Sequence, residues 1–288
     1  MSRTLGLVVP AFRPNVDALR AYVSDLDERL EPAAIRIELD DPRPETVESL
    51  EALPATINAV DDRRGKGAAV TAGFCALETD VLAFADADGS TAVDSIETIV
   101  DRAREGGADL VVGTRRHPEA DVLSSQSALR ERLGDAFAWL ARRLLAVSVS
   151  DYQCGAKAID AEAWTAVCPH LREHGFAWDV ELIALADALG YRIEEVPVTW
   201  ADAPDSTVSS VETPLELVRG AVRARRRATR VSASEERDDQ GSRRWRPLSS
   251  VANRPSEPTR VIERLELERG ANAEFPPESD PDGNADDD

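Results

Sequence analysis

The fold is decided by the stretch Val81-Leu82-Ala83-Phe84-Ala85-Asp86-Ala87-Asp88-Gly89-Ser90-Thr91. Its first five residues are apolar, which predicts a strand buried on both faces of a sheet. The strand ends in two carboxylates, and a glycine then allows a turn before Ser90 or Thr91 caps the next helix. Because ligands of open α/β sheets bind outside the carboxyl ends of the strands, we expect a ligand site at Asp86 and Asp88.

The two carboxylates predict a metal site. Carboxylate oxygens are hard ligands, which suit Mg²⁺ or Mn²⁺ carrying a diphosphate. The chain holds 54 acidic residues in 288, so the same spacing also arises by chance, as at Asp25 and Asp27. Asp86 and Asp88 differ from such accidents because a strand precedes them and a turn follows. We therefore expect the divalent cation there.

Composition narrows the classes of function. The net charge is −20 and the pI is near 4.6, so phosphate backbones would be repelled and nucleic-acid binding is not expected. The chain has two lysines, Lys66 and Lys157, among 34 basic residues. Abundant carboxylates with scarce lysine resemble the proteins of haloarchaea, whose acidic surfaces stay hydrated in a salty cytoplasm.

Cysteine usage and hydropathy indicate the compartment. Cys75, Cys154 and Cys168 are scattered without Cys-x-x-Cys spacing, which predicts neither a zinc site nor a disulfide framework and favours a reducing compartment. No signal peptide pattern precedes residue 5, and no apolar run approaches the ~20 residues of a membrane span. We therefore expect a cytoplasmic protein, soluble or peripheral at the cytoplasmic face of the membrane.

Strands and helices alternate along the first 150 residues. Apolar runs predict strands, the first of them stopped by Pro10, over residues 5–9, 35–39, 57–60, 81–85 and 110–112. Helical spacing of apolar residues predicts helices over residues 16–30, 45–53, 68–77, 93–103 and 129–144. The alternation is typical of an α/β fold with a mostly parallel sheet flanked by helices. A helix over 179–189 and an extended segment over 193–200 follow.

The C-terminal part has a different composition. Residues 214–230 predict a helix that carries six arginines. These arginines form either a solvated face or the polar side of a basic amphipathic helix on an anionic membrane surface. Residues 232–288 are rich in Ser, Pro, Arg and acidic residues, which is typical of a disordered, solvating segment. We therefore assign residues 1–230 to one α/β domain and 231–288 to a disordered acidic tail.

Lys66 lies between two glycines, in Arg63-Arg64-Gly65-Lys66-Gly67-Ala68, just before a predicted helix. Backbone N–H groups and one ammonium can approach an anion there. The spacing is not that of a P-loop, so a nucleoside triphosphatase is not predicted. A glycine-rich turn with a surface lysine would give the same pattern. The scarcity of lysine elsewhere in the chain favours a specific role for Lys66.

Eight short motifs follow one another along residues 5–210. They are Val9-Pro10-Ala11-Phe12, Asp40-Asp41, Gly65-Lys66-Gly67, Asp86-Ala87-Asp88-Gly89, Gly113-Thr114-Arg115, Asp151-Tyr152-Gln153-Cys154-Gly155, Phe176-Ala177-Trp178-Asp179-Val180-Glu181 and Glu195-Val196-Pro197-Val198-Thr199-Trp200. In this order they resemble the inverting glycosyltransferases of family 2, which have the GT-A fold. Within that family the chain is most similar to dolichyl-phosphate glucosyl- and mannosyltransferases.

The resemblance implies a donor site and a metal site. The residues that would contact the base and ribose of a sugar nucleotide are Pro10, Ala11 and Asp40 or Asp41. Asp86 and Asp88 would hold Mg²⁺ or Mn²⁺ on the diphosphate of the donor, so that the leaving group needs no proton. Further substrate-binding residues in the matching motifs are Lys66, Gln153 and Gly155.

The resemblance also implies an acceptor site. Arg115 and Arg130 would bind the acceptor phosphate, for which a guanidinium fork is well shaped. Asp151 and Asp179 would lie near the transferred sugar as catalytic residues, and Glu181 would support them. Since a phosphate monoester is already ionised at pH 7, positioning and charge compensation would dominate the catalysis.

Four positions depart from the family pattern. Arg13-Pro14 stands where the first motif usually continues with Asn-Glu, and Pro42-Arg43 stands where Gly-Ser follows the second. Ser90 replaces a glutamine after the metal aspartates, and Ser206-Thr207 replaces a late Ser-Lys element. The nucleotide motifs are therefore less well kept than the metal and acceptor motifs.

The implied reaction is metal-dependent, inverting transfer of a hexose from UDP-glucose or GDP-mannose to a polyprenyl (dolichyl) phosphate, for protein or surface glycosylation. One alternative is the same donor with a soluble or glycan acceptor. Another is a glycosyltransferase-like binding or regulatory protein without turnover. A sugar nucleotidylyltransferase is less favoured, because no glycine-rich phosphate loop occurs near residues 8–20.

Overall fold

A computed structural model of the chain describes residues 3–123, 128–145, 147–201 and 214–244, without the side chains of 128–136, 214–215 and 235–244. The helices are α1 Val16–Leu30, α2 Pro44–Leu50, α3 Lys66–Cys75, α4 Val93–Glu105, α5 Ala128–Leu145, α6 Ala161–Val167, α7 Trp178–Ala188 and α8 Pro214–Arg244. The strands are β1 Leu5–Phe12, β2 Ala34–Asp40, β3 Thr56–Val60, β4 Val81–Ala85, β5 Leu110–Thr114, β6 Asp121–Val122, β7 Ala156–Asp160, β8 Ile193–Pro197 and β9 Thr199–Trp200.

Seven strands form one sheet in the order β3-β2-β1-β4-β7-β5-β8. All neighbouring pairs are parallel except those of β7, which runs antiparallel to both β4 and β5. A short parallel pair, β6 with β9, lies apart from this sheet. The prediction of a mostly parallel sheet flanked by helices is confirmed.

Strand β4 lies inside the sheet, and all five of its residues are buried. Val81, Ala83 and Ala85 contribute to the core that contains apolar residues of α1 and α4. Leu82 and Phe84 contribute to the core on the other face, with residues of α3 and α7. The apolar run predicted a doubly buried strand because successive side chains of a strand point to opposite faces.

The prediction that Pro10 stops the first strand is wrong. Strand β1 pairs with β4 only as far as Val8, but it continues beside β2 to the pair Phe12 and Asp40. Beyond Val8 one edge of β1 is therefore unpaired, and such an edge accommodates a proline. The extension places Ala11 and Phe12 beside the end of β2.

The predicted capping of α4 by Ser90 or Thr91 is also wrong. The N-cap residue is Ala92, and its side chain makes no cap hydrogen bond. The backbone carbonyl of Ser90 accepts a hydrogen bond from the N–H of Ala201 at 2.8 Å, and the N–H of Ala92 donates to the carbonyl of Thr199 at 3.0 Å. These bonds fasten the turn after β4 to the segment around β9.

Helix α8 extends beyond its predicted end at residue 230, so the predicted domain boundary falls within a helix. Its apolar residues, among them Ala221, Ala224 and Val231, pack against the core that contains α7. The remaining predicted tail, residues 245–288, lies outside the described residues. No helix in the described ranges is long and apolar enough to cross a bilayer.

Candidate active site

Three charged side chains from three elements meet at the carboxyl end of β4. Lys66, the first residue of α3, places its Nζ 3.0 Å from Oδ1 of Asp86 and 3.1 Å from Oδ2 of Asp179. Asp86 directly follows β4, and Asp179 lies in the first turn of α7. The structure thus brings together three residues that sequence motifs far apart in the chain had singled out.

Lys157 completes this cluster and was not among the predicted site residues. From β7 its Nζ donates to Oδ1 of Asp179 at 2.6 Å and to the carbonyl of Cys154 at 2.7 Å, and its side chain is 1% exposed. Both lysines of the chain therefore bind the same carboxylate, one at each oxygen. The scarcity of lysine was the sequence signal that could have identified Lys157.

Electrostatics differ between the two carboxylates of the cluster. Burial alone would raise the pKa of Asp179, but Lys157 and Lys66 outweigh it and hold that pKa below its ordinary value. Burial raises the pKa of Asp86, and Lys66 offsets this only in part because Asp88 and Asp179 add like charge. Burial would lower the pKa of Lys66, but the two carboxylates hold it above its ordinary value. Asp179 is thus a stable anion.

The turn Asp86–Gly89 is shaped by its neighbours. Gly89 has φ +67°, a conformation that favours glycine, and the ring of Tyr22 from α1 lies over it. Asp88 accepts a hydrogen bond from the N–H of Ser90 at 3.0 Å. A Cβ on Gly155 would lie 2.1 Å from Oδ2 of Asp86, so glycine is needed there for close approach. Gly155 therefore positions the predicted metal ligand.

The chemistry of the turn fits a divalent cation that also binds ligands from outside the protein. Asp86 and Asp88 are half-buried and offer hard oxygens. Across the described part of the chain, no group of three or more His, Cys, Asp or Glu side chains is arranged to hold a metal. A cation at this turn would have two carboxylates from the protein, and phosphate oxygens and water would complete its coordination, as is usual for Mg²⁺.

Buried Asp151 and half-buried Arg115 form a second ion pair beside the cluster. Nε and Nη2 of Arg115 donate to the two oxygens of Asp151 at 2.7 and 2.9 Å, and the backbone N–H groups of Arg115 and Gln153 add two more bonds at 3.1 Å each. Burial would raise the pKa of Asp151, but Arg115 lowers it to about 2. Glu195, which begins the last of the eight motifs but was assigned no role from the sequence, accepts bonds from the N–H groups of Ser150 and Asp151 at 2.8 and 3.2 Å.

The predicted nucleotide residues lie at the ends of β1 and β2. Asp40 is buried, and it accepts a bond from the N–H of Gly65 at 2.9 Å and one from Nε of Arg64 at 2.8 Å. Arg64 also binds the fully buried Glu38 at 3.0 Å. Asp40 thus fixes the loop that leads into Lys66, while Pro10 and Ala11 are buried in β1.

The rim beyond them is more exposed. Arg13 and Asp41 both have φ +46°, and Nη2 of Arg13 binds Oδ2 of Asp41 at 2.6 Å. The guanidinium groups of Arg13 and Arg63 lie 5.3 and 4.1 Å from the ring centre of Phe12. The arginine that departs from the family pattern therefore pairs with one of the predicted ribose-contacting aspartates.

Glu181 and Trp178 have structural partners. Two positions separate Glu181 from Asp179, so the two side chains leave α7 in different directions. Glu181 accepts bonds from the N–H groups of Arg172 and Glu173 at 2.8 and 2.7 Å, and it forms an ion pair with Arg227 of α8. Trp178 is fully buried and donates to Thr71 at 3.0 Å. The side chain of Arg130, a predicted acceptor ligand on α5, lies outside the described residues.

Comparison with known proteins gives the family. Residues 7–163 match the family model described as glycosyl transferase family 2. The chain is 30% identical over 217 residues to glycosyltransferase AglD of Haloferax volcanii, covering 72% of this chain and 34% of that protein. It is 30% identical over 166 residues to a dolichyl-phosphate beta-glucosyltransferase of Dictyostelium discoideum, covering 56% and 51%. The chain spans about a third and about half of these relatives' lengths.

A solved structure gives the fold. The chain is similar to glucosyl-3-phosphoglycerate synthase from Mycobacterium tuberculosis, crystallised with Mn²⁺, UDP and phosphoglyceric acid. The TM-score is 0.59 at 17% identity, and the match covers 77% of this chain and 78% of that one. This likeness confirms the predicted GT-A-like architecture. Since the family model covers more than half of its residues, the chain belongs to glycosyl transferase family 2.

Proposed function

We propose that this chain transfers a hexose, with inversion, from a UDP- or GDP-sugar to a polyprenyl phosphate such as dolichyl phosphate, with Mg²⁺ or Mn²⁺. The observation that carries the proposal is the double ion pair of Asp179, whose two oxygens face Lys66 and Lys157 at 3.1 and 2.6 Å. A carboxylate so compensated is a poor proton acceptor. The cluster therefore suits an acceptor that is already ionised at neutral pH, such as a phosphate monoester.

Family membership and the relatives support the same acceptor class. The relative from Dictyostelium discoideum is named a dolichyl-phosphate beta-glucosyltransferase. A soluble hydroxyl acceptor would need a base to take its proton, and Asp151 is no better suited than Asp179 because Arg115 lowers its pKa to about 2. Transfer of the hexose to an oxygen of an ionised phosphate thus needs binding and orientation of the acceptor more than removal of a proton.

Asp86 and Asp88 would hold the cation in this proposal. The bound cation would compensate the charge that develops on the nucleotide diphosphate as the glycosidic bond breaks. Lys66, whose Nζ lies 3.2 Å from Oδ2 of Asp86, adds a positive charge beside the same carboxylate. The Mn²⁺ and UDP of the structurally similar synthase support a metal and a uridine donor, and the choice between UDP-glucose and GDP-mannose is left to experiment.

Arg115 is the proposed ligand of the acceptor phosphate, together with Arg130. Two of the five N–H groups that a guanidinium carries are engaged by Asp151, at 2.7 and 2.9 Å. The ion pair with Asp151 fixes the orientation of the Arg115 guanidinium group and leaves it charged. Asp151 would act in this way as a positioning residue for the phosphate, rather than as a proton acceptor.

Contact with the membrane would be electrostatic and peripheral. The apolar side of α8 is buried against the domain, so it cannot enter the lipid while the helix stays docked. Among the residues of α8 whose side chains the structure describes, the arginines that are exposed and not paired with Glu173 are Arg219, Arg225, Arg226 and Arg230. Each basic residue near an anionic lipid surface contributes about 1 kcal/mol, so this face can hold the chain near its acceptor.

The test measures nucleotide release at high salt. UDP-glucose and GDP-mannose are offered in turn, with Mg²⁺, Mn²⁺ or a chelator, and with or without polyprenyl phosphate in detergent. We expect release that requires both metal and lipid phosphate, and a fall of about 10²-fold or more for Asp88→Asn, because removing one charge-stabilising group at a reacting centre costs roughly that much.

The matched control is Asp25→Asn, which alters an exposed Asp-x-Asp on α1 and should leave release unchanged. Release with a soluble sugar acceptor but not with the lipid would refute the acceptor class. Neither release nor binding of any sugar nucleotide would refute turnover altogether and favour a binding or regulatory protein.

A further inference from the structure

Two of the three cysteines lie side by side, although their sequence positions predicted no pairing. Cys75 ends α3, and Cys168 begins the 3₁₀ turn that follows α6. Their Sγ atoms are 3.8 Å apart across 93 residues of sequence. The sequence spacing gave no sign of this proximity, because the two helix ends converge only in the folded chain, where all three cysteines are free thiols.

Core packing fixes the separation of the two thiols. Phe74 directly precedes Cys75, and Trp164 lies one helical turn before Cys168. Both side chains are buried, and their rings meet edge to face with centres 5.0 Å apart. Near the other end of α3, the N–H of Ala68 donates to the carbonyl of His174 at 3.0 Å. Helix α3 and residues 168–174 are thus joined at both ends, and the thiols lie within this rigid contact.

The two thiols are accessible, whereas the third cysteine is not. Cys75 is exposed and Cys168 is half-buried, but Cys154 is fully buried beside the active site. The hydrogen bond with Cys168 lowers the pKa of Cys75, and burial opposes it. Burial raises the pKa of Cys154 to about 11. Since the thiolate is the reactive form, the exposed Cys75 with its lowered pKa is the better nucleophile, and the buried Cys154 with its raised pKa is inert.

We propose that Cys75 and Cys168 are a redox modification site, at which a low-molecular-weight disulfide forms a reversible cross-link between α3 and the segment before α7. The thiolate of Cys75 attacks one sulfur of the small disulfide and expels the other as a thiolate, which leaves a mixed disulfide on Cys75. The thiolate of Cys168 then attacks the sulfur of Cys75 and expels the second small thiol. Two protein thiols are oxidised and one small disulfide is reduced to two thiols.

The geometry favours the second step. The sulfur atoms must approach from 3.8 Å to about 2.05 Å, a shift that side-chain rotation and small backbone adjustment can supply. The cross-link would join the helix that begins with Lys66 to the segment that leads into Asp179. It would therefore brace the two elements that hold the catalytic cluster, without touching that cluster.

The test treats the full chain at high salt with hydroxyethyl disulfide and counts thiols after denaturation. We expect three free thiols before treatment, one afterwards and three again after dithiothreitol. Peptide mapping should then show Cys75 linked to Cys168 and a protein mass lower by ~2 Da, with no small adduct left. The oxidised chain should unfold at a higher temperature than the reduced chain.

Variants separate the two steps. Cys168→Ser should accumulate the mixed disulfide on Cys75, because no second thiol can release it. Cys75→Ser should remain largely unmodified, and Cys154→Ala should form the cross-link as the parent does. A stable small adduct on Cys75 of the parent, a linkage through Cys154, or three thiols that survive treatment would each overturn the proposal.

Discussion

The charged cluster of Lys66, Asp86, Lys157 and Asp179 and the rim formed by Arg13 and Asp41 hold their charges in different ways. In the cluster the side chains of Asp179 and Lys157 are 2% and 1% exposed. At the rim the side chains of Arg13 and Asp41 are 59% and 37% exposed, and one ion pair of 2.6 Å joins them. Buried charges depend on each other for their stability, whereas exposed charges are already stabilised by water and salt.

This contrast accounts for two of the four departures from the family pattern. Of the other two, Ser90 is buried in the turn after β4, and residues 206 and 207 lie outside the described residues. Arg13-Pro14 and Pro42-Arg43 lie at the rim, where a changed residue alters the free energy of unfolding little. The cluster retains Lys66, Asp86 and Asp179, because the loss of one member leaves another charge buried without compensation. Under the proposed function, departures at the rim would therefore bear on the affinity and identity of the donor, and not on whether the site can assemble.

The largest expected effect comes from removing the lysine that the sequence analysis missed. Lys157→Met should lower the free energy of unfolding by about 3 kcal/mol or more, because it breaks a fully buried pair and leaves Oδ1 of Asp179 without its ammonium partner. Denaturant unfolding at high salt measures this change.

A double-mutant cycle supplies the control. Lys157→Met with Asp179→Asn should cost less than the sum of the two single changes, since the second change removes the charge that the first leaves unpaired. Additive costs would mean that Lys157 acts by packing alone, and the contrast between the cluster and the rim would fail.

The next effect is the pH dependence carried by Asp151. Its pKa is about 2 in the folded chain, with Arg115 as the compensating partner, against about 3.9 when unfolded. A carboxylate that is more acidic when folded stabilises the chain above pH 4, and this contribution disappears as the pH falls towards 2. The difference of roughly two pKa units corresponds to about 2.5 kcal/mol.

Comparison of the parent with Asp151→Asn isolates this contribution. The parent should be more stable at pH 6, and the gap between the two chains should narrow by about 2.5 kcal/mol as the pH is lowered to 2. Unfolding curves at several pH values measure the gap. A gap that stays constant would mean that ionisation of Asp151 does not stabilise the fold.

The sequence predicted the architecture because its signals are local. The apolar run of β4 and the strand–helix alternation specify the mostly parallel sheet. Short motifs at the end of β4 and at the beginnings of α3 and α7 single out Asp86, Lys66 and Asp179. Boundaries were less certain: Pro10 did not stop β1, because the pairing that it would disrupt had already ended at Val8.

Contacts across the fold were beyond local signals. Lys157 lies in an ordinary strand, and only the antiparallel placement of β7 beside β4 brings it to Asp179. Glu195 reaches Ser150, and Cys75 reaches Cys168, across 45 and 93 residues. Glu181, which shares a motif with Asp179, binds Arg227 instead, because two positions along a helix turn a side chain away from its neighbour.

The smallest expected effect concerns Arg13, and it distinguishes the rim from the cluster most directly. Arg13 adopts φ +46°, a region in which asparagine is several-fold enriched and most other residues are strained. Arg13→Asn restores the residue of the family pattern and relieves that strain while it removes the ion pair with Asp41. Arg13→Ala removes the same ion pair and relieves nothing. We therefore expect the asparagine variant to be at least as stable as the parent, and the alanine variant to lose no more than about 0.5 kcal/mol.

Denaturant unfolding of the two variants, together with the KM for each sugar nucleotide, tests this expectation. If the rim binds the sugar nucleotide, both changes should alter that KM and leave kcat within about twofold. An interaction made equally in the ground state and in the transition state affects KM alone. A loss of stability comparable to that of Lys157→Met would show that Arg13 and Asp41 belong energetically to the buried site. The departures from the family pattern would then be compensated changes within the site, rather than changes at a tolerant edge.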